Sequence, residues 1–334
     1  VAALNASAAI ACWDETGVTC MALSVLGMEV VAGGAALSVE SSSSSYVSVS
    51  ALDESRAVVC YVMSSQGLCR VLTMAGDGGL SAGCAQSFAS SSASWSTVAA
   101  LDNSSALVCY QYGSYSYCRK MSVSAGFSGS SMYLNTAYTN YLSVSAFDST
   151  SAVVCYEDDG GYDYVECAVV STPSSSSTSV SRGTQVSVNS VSSAYVSVSA
   201  LDATTAAVCF RVMSSPYTGQ CAHLVRSGTT LTASASSAFT SSYASYVSVA
   251  ALDVQTMAVC YASGSSYGVS VCQRLFKGGV GISEGNVGYL TVYPSSTSYQ
   301  SVARLAADMA LACYRTTSQG VQCAPIYSFP PSPP

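Results

Sequence analysis

The sequence predicts an all-β chain folded as a single seven-bladed β-propeller. Its blades are four-stranded, each carries one hairpin disulfide, and the last is incomplete. Three observations predict it: a sixteen-residue stretch that keeps returning, a strand pattern with no helical periodicity, and one close cysteine pair in every copy. The stretch reads YVSVSALDESRAVVCY from Tyr46, WSTVAALDNSSALVCY from Trp95, YLSVSAFDSTSAVVCY from Tyr141, YVSVSALDATTAAVCF from Tyr195 and YVSVAALDVQTMAVCY from Tyr246. A diverged copy, YQSVARLAADMALACY, starts at Tyr299, and a shorter one, VAALNASAAIACW, opens the chain. The first cysteines of successive copies lie 48, 49, 46, 54, 51 and 53 residues apart, a period that signals a repeat architecture.

Within a repeat the elements follow from residue type. Tyr46–Leu52 alternates Val with Ser and reads as a first strand, and Asp53–Arg56 as a turn. Ala57–Val62, dense in β-branched and aromatic residues, is a second strand. Ser64–Gly67 is a turn, Leu68–Thr73 a third strand, Gly76–Gly79 another turn, and the Ser-rich run from Leu80 carries a fourth strand. Four strands per unit of about 50 residues make a propeller blade. The propeller then spans 1–328, with blades near 1–45, 46–94, 95–140, 141–194, 195–245, 246–298 and 299–328, and a Pro-rich tail over 329–334. In the second strand Val58 and Cys60 point one way, Val59 and Tyr61 the other. Both sets are apolar, as a blade between two blades requires. The aromatic after each first cysteine (Trp13, Tyr61, Tyr110, Tyr156, Phe210, Tyr261, Tyr314) reads as inter-blade packing. In the last blade Pro325 and the tail leave no regular fourth strand, so an open outer edge is expected there.

The fifteen cysteines pair by position as Cys12–Cys20, Cys60–Cys69, Cys109–Cys118, Cys155–Cys167, Cys209–Cys221, Cys260–Cys272 and Cys313–Cys323, with Cys84 left over. The C-x₂₋₄-C spacings of zinc sites are missing, whereas facing residues of a hairpin lie within disulfide reach. Disulfides imply an oxidising compartment, hence a secreted or surface protein. Only 9% of residues are charged and the net charge is −7. The two lysines, Lys120 and Lys277, form no basic cluster, which argues against nucleic-acid binding. No run of about 20 apolar residues marks a membrane span.

The strand–turn–strand pattern of VSVSALDATTAAVCF resembles WD-repeat and kelch-like propellers over nearly the whole chain, without the WD dipeptide or the GH signature. The resemblance implies the fold and transfers no function. The tail, Phe329-Pro-Pro-Ser-Pro-Pro334, prefers polyproline II. It resembles the Ser-Pro-Pro modules of hydroxyproline-rich glycoproteins in the walls and surface fibres of green algae and plants. That resemblance implies hydroxylated, glycan-bearing prolines at Pro330, Pro331, Pro333 and Pro334. Sequons at Asn5 and Asn103 are N-glycan candidates in exposed turns.

The repeated turn acids Asp53, Asp102, Asp148, Asp202 and Asp253 are expected to shape turns through backbone hydrogen bonds. Glu157, Asp158, Asp159 and Asp163 form the one acidic cluster; Asp158, Asp159 and Asp163 are a weak calcium candidate, and otherwise neither metal nor cofactor is expected. With a single histidine, His223, and no G-x-S-x-G elbow, no catalytic constellation stands out. The expectation is therefore a non-enzymatic structural extracellular glycoprotein, the repeating subunit of a surface filament, fibril or cell-wall matrix. Its partners would be further copies joined head to tail, other matrix glycoproteins and glycans. The alternative is a lectin-like, carbohydrate-binding propeller using the 23 tyrosines; an extracellular hydrolase ranks third.

Overall fold

The computed structural model describes residues 1–334 except 175–176, 265–267, 279–280, 285–289, 294–296, 317–319 and 328–334. Every described element of regular structure is a β-strand. The recurring stretch makes the first two strands of each repeat. In the second repeat these are Ser44–Ala51 and Arg56–Met63, followed by a third strand, Gln66–Met74. Pairing is antiparallel, and the register sets Cys60 directly opposite Cys69. The same opposition recurs in each repeat, and all seven pairs are bonded, with Cα–Cα distances of 4.1–4.2 Å.

Two features correct the expectation of seven separate four-stranded sheets. The fourth strand is split: two short pieces, such as Leu80–Ala82 and Gln86–Ala89, pair with different halves of the third strand. The sheets therefore count five strands where four were expected. They also number six. Ser237–Ala251 pairs with the third strand of the fifth repeat at one end and with the second strand of the sixth at the other. Because it runs on without a break, the fifth and sixth repeats share one nine-stranded sheet. The last repeat gives a three-stranded sheet among the described residues, edged by Gly320–Tyr327. Pro325 sits in that edge strand, where its missing N–H leaves no ladder bond unmade.

The core lies between sheets and between the two repeats of the nine-stranded sheet. Alternate residues of each second strand enter different clusters: Ala57, Val59 and Tyr61 pack toward the first repeat, Val58, Cys60 and Val62 toward the third. The series closes on itself, since Leu305, Leu311 and Cys313 of the last repeat pack on Ala9, Ala11, Leu23 and Val25 of the first. Burying a large apolar side chain of this kind contributes about 1.5–3 kcal/mol. Gly67 and Gly219 are required by packing: a Cβ there would fall 2.0 Å from the ring of Phe88 and 2.1 Å from that of Phe239. The aromatics after the first cysteines are buried as read, with Tyr61, Tyr156 and Phe210 fully enclosed and Trp13 half-buried.

First strands of consecutive repeats touch one another around the ring. Each is the inner edge of its sheet or repeat, and its outward N–H groups have no strand to pair with. Serines of the preceding repeat meet them. Val98 and Ala100 N–H donate to Ser48 and Ser50 Oγ at 3.1 and 3.0 Å. Val198 and Ala200 donate to Ser143 and Ser145, both at 3.0 Å. Val249 and Ala251 donate to Ser197 and Ser199 at 3.1 and 2.9 Å, and Val302 to Ser248 at 3.1 Å. Val1 N donates to Ser301 Oγ at 2.9 Å, where the last repeat meets the first. The Val-Ser alternation of the recurring stretch is thus a hydrogen-bonded belt between repeats.

Candidate functional site: an aromatic collar

At the start of each first strand, from the second repeat onward, the register slips. In the second repeat Ser45 faces Val62 and Ser48 faces Cys60, so two residues, Tyr46 and Val47, oppose one. This is a β-bulge, a device that re-aims a side chain. The bulged residue is the aromatic that opens each copy: Tyr46, Trp95, Tyr141, Tyr195, Tyr246 or Tyr299. All six adopt positive φ, from 46° to 55°, a conformation that costs a non-glycine residue on the order of 1–2 kcal/mol.

The bulges line the six rings up side by side. Consecutive centroids lie 5.0, 4.9, 5.0, 5.1 and 5.1 Å apart from Tyr46 to Tyr299, every pair tilted by 41–55°. The collar occupies the end of the ring opposite the Asp turns. Its two ends are open, with Tyr46 36% and Tyr299 65% exposed, while the rings between are half-buried. Burial pushes Tyr141 up to about 12 and raises Tyr195 as well.

Under the collar the repeats diverge. The register places Gln111, Glu157 and Arg211 at equivalent points of three second strands, all more than nine-tenths buried. Gln111 Oε1 accepts from Ser94 Oγ at 2.9 Å. Arg211 lies over the Tyr195 ring at 4.5 Å and donates to Tyr243 Oη at 2.9 Å. Burial, reinforced by Asp163 and Asp159, pushes Glu157 up to about 8, so this carboxyl is mostly protonated at neutral pH.

The remaining sequence candidates fall elsewhere. The turn acids act within their turns: Asp53, Asp102, Asp148, Asp202 and Asp253 each accept the N–H two residues on, at 2.7–2.9 Å. Burial opposes ionisation of Asp53, yet Ser55 and Arg56 outweigh it and hold the carboxyl near about 2; Thr205 and Thr204 do the same for Asp202. Asp148 also lies 2.9 Å from Arg226 of the fifth repeat. Of the acidic cluster, Asp158 accepts from Asn135 and Gly160 N–H at 3.1 and 3.0 Å, and Asp163 from Ser192 at 3.1 Å. Among the described residues no three acids, histidines or cysteines are gathered as a metal site. Asn5 Oδ1 accepts Ser7 N–H at 2.9 Å in its turn, and Asn103 is exposed. Cys84 is free and exposed. Burial lowers the pKa of His223, and its Nε2 has no partner among the described residues. Pro330, Pro331, Pro333 and Pro334 lie outside the described residues.

No protein-family model matches the chain, and no curated protein matches it. Solved structures do. The BP39L lectin from Burkholderia pseudomallei superposes with a TM-score of 0.62 at 10% identity, over 97% of this chain and 96% of that one. The WD40 domain of Toxoplasma gondii coronin gives 0.60 at 10% identity, over 98% and 80%. The Cps50 (Swd1) β-propeller domain of Myceliophteria thermophila gives 0.60 at 7% identity, over 96% of each. The chain folds as a β-propeller. At these identities the likeness carries the fold alone. Seven disulfides fit an oxidising, secreted or surface environment, and among the described residues no helix is long and apolar enough to cross a membrane.

Sequence reasoning missed the collar. Its signal was an aromatic in the first position of six copies; what hid it was the bulge, which strict strand alternation does not foresee.

Proposed function

We propose that this protein is an extracellular, non-enzymatic β-propeller of seven blades that binds carbohydrate through its aromatic collar. The blade count treats the nine-stranded sheet as two blades, since it carries two disulfide hairpins, Cys209–Cys221 and Cys260–Cys272. The observation that carries the reading is the collar's backbone: six aromatics held in a strained conformation at one end of the ring. Inward packing needs no such strain. Strain that recurs in six repeats to present polarisable rings side by side is the kind associated with ligand sites, and tyrosine and tryptophan offer sugars an apolar face beside a hydrogen-bonding edge. The test is a glycan array probed with the native protein and with Tyr299→Ala and Tyr46→Ala, the two most open collar positions. Glycan binding that both variants weaken, at unchanged melting temperature, is expected. Equal binding by the variants, or no glycan bound at all, refutes it.

A second reading concerns assembly. Among the described residues Gly320–Tyr327 edges a three-stranded sheet, and all eight of its residues are half-buried. Such an edge invites another strand or surface. A head-to-tail contact there would build the filament or matrix subunit expected from the sequence. Electron microscopy of a native preparation decides this: filaments with subunit contacts at 320–327 support it, and monomers at high concentration exclude it.

A further inference from the structure

A cleft of about 430 Å³ opens between the second and third repeats, away from the collar rings. A volume in this range suits a small ligand. One wall is the outer strand Gln86–Ala89 with Ser90; the other is built by Tyr110, Tyr112, Tyr117 and Arg119, with Ser131 at the rim. Tyr110 and Tyr117 lie nearly parallel, 5.9 Å between centroids. Tyr110 Oη meets Ser131 Oγ at 3.1 Å and Tyr112 Oη meets Ser91 Oγ at 3.2 Å.

Arg119 gives the cleft its character. Its guanidinium donates to two carbonyls, Phe88 O at 3.0 Å and Gly129 O at 3.1 Å, and lies over the Phe127 ring at 5.3 Å. These contacts fix the group without neutralising it. Among the described residues no carboxylate lies within ion-pair distance of it, and its Nε is buried without a partner. No acid lines the cleft. On a chain of net charge −7, this is a preorganised cation among aromatic faces and hydroxyls.

We propose that the cleft is a saccharide site selective for a pyranose bearing an anionic group, either a uronate carboxylate or a sulfate ester. Tyr112 and Tyr117 supply a face for the sugar ring, the serine and tyrosine hydroxyls meet its hydroxyls, and Arg119 pairs with the anion. This goes beyond the collar and does not depend on it.

The test is calorimetric titration of the full chain with methyl β-D-glucuronide, methyl β-D-glucoside 6-sulfate and neutral methyl β-D-glucoside. At least one anionic sugar is expected to bind tenfold or more tightly than the neutral one, and the stronger of the two identifies the anion. Raising the salt from 0.05 to 0.5 M should erode that preference, because screening shortens to a few ångströms. Arg119→Gln should abolish it. Tyr112→Ala, at a side chain that is 37% exposed, should weaken all binding at least fivefold without loss of melting temperature. Val254→Ala, at an exposed turn position outside both the cleft and the collar, should change nothing here. Should Arg119→Gln fail to fold because its carbonyl bonds are structural, the salt and Tyr112→Ala arms decide. Equal affinity for neutral and anionic sugars, or undiminished binding by Tyr112→Ala, overturns the proposal.

Discussion

The serine belt offers the sharpest test of how the repeats are joined. In Ser143→Ala/Ser145→Ala the acceptors for Val198 and Ala200 N–H disappear, and no other strand lies on that side to replace them. Val198 is 5% exposed, so its N–H loses a bond that water cannot restore, at about 1–3 kcal/mol. Ala200 is half-buried and partly rehydrates, for about 0.5–1 kcal/mol. The pair should cost roughly 1.5–4 kcal/mol. For a chain of this size that lowers the melting temperature by roughly 2–6 °C. Native-state hydrogen exchange is the decisive assay, because a ring of repeats can open locally before it unfolds as a whole. The Val198 and Ala200 amides should exchange about tenfold faster or more, given about 1.4 kcal/mol per tenfold. The control is Ser241→Ala, at an exposed serine outside the belt. If both amides keep their protection and the melting temperature stays within about 1 °C of that control, the belt contributes nothing and the repeats are held by apolar packing alone.

Three further predictions follow from the charges and bridges. Glu157 is raised to about 8 from an ordinary 4.5, so its cost is absent below about pH 4.5 and grows as pH rises toward 8; Glu157→Gln should stabilise the protein at pH 8.5, by at most about 5 kcal/mol, and leave pH 4 melting unchanged, whereas equal gains at both pH values refute burial as the cause. Asp202 is depressed to about 2, so its contribution exists above about pH 4 and fades as pH falls through 2; after discounting for its exposure, Asp202→Asn should cost about 1 kcal/mol at pH 6 and little at pH 2, checked by urea unfolding at the two pH values. Removing one bridge with Cys209→Ala/Cys221→Ala should cost about 2–3 kcal/mol; non-reducing peptide mapping of the parent should find neighbour pairs only, with Cys84 unpaired in the monomer.

Much of the architecture was legible in the chain because it is written seven times. A close cysteine pair such as Cys60 and Cys69, repeated at separations of 8 to 12 residues, forces a hairpin whatever surrounds it. Val58 and Val59, both apolar on opposite faces, announce a strand covered on two sides. The Asp53 turn was equally local, since an aspartate and the N–H groups of the next residues need nothing else. These features depend on neighbours in sequence, and sequence states them.

What depended on neighbours in space was not stated. The serines of YVSVSA looked like a polar strand face; only the approach of the next repeat, some 50 residues on, supplies the N–H groups they accept from. Tyr46 and its equivalents looked like ordinary strand aromatics, and the bulge that turns them into a collar arises where a first strand leaves its register. The join of the fifth and sixth repeats into one sheet rests on the unbroken course of Ser237–Ala251, which its Ser-rich composition does not distinguish from its interrupted counterparts. The cleft at Arg119 needs two repeats and the ring of Phe88 seated over Gly67. Sequence alone determined the unit, its staple and its turns, because those are fixed by covalent spacing and local hydrogen bonds. Tertiary structure decided what the units present to each other and to solvent, because those surfaces exist only once distant repeats are brought into contact.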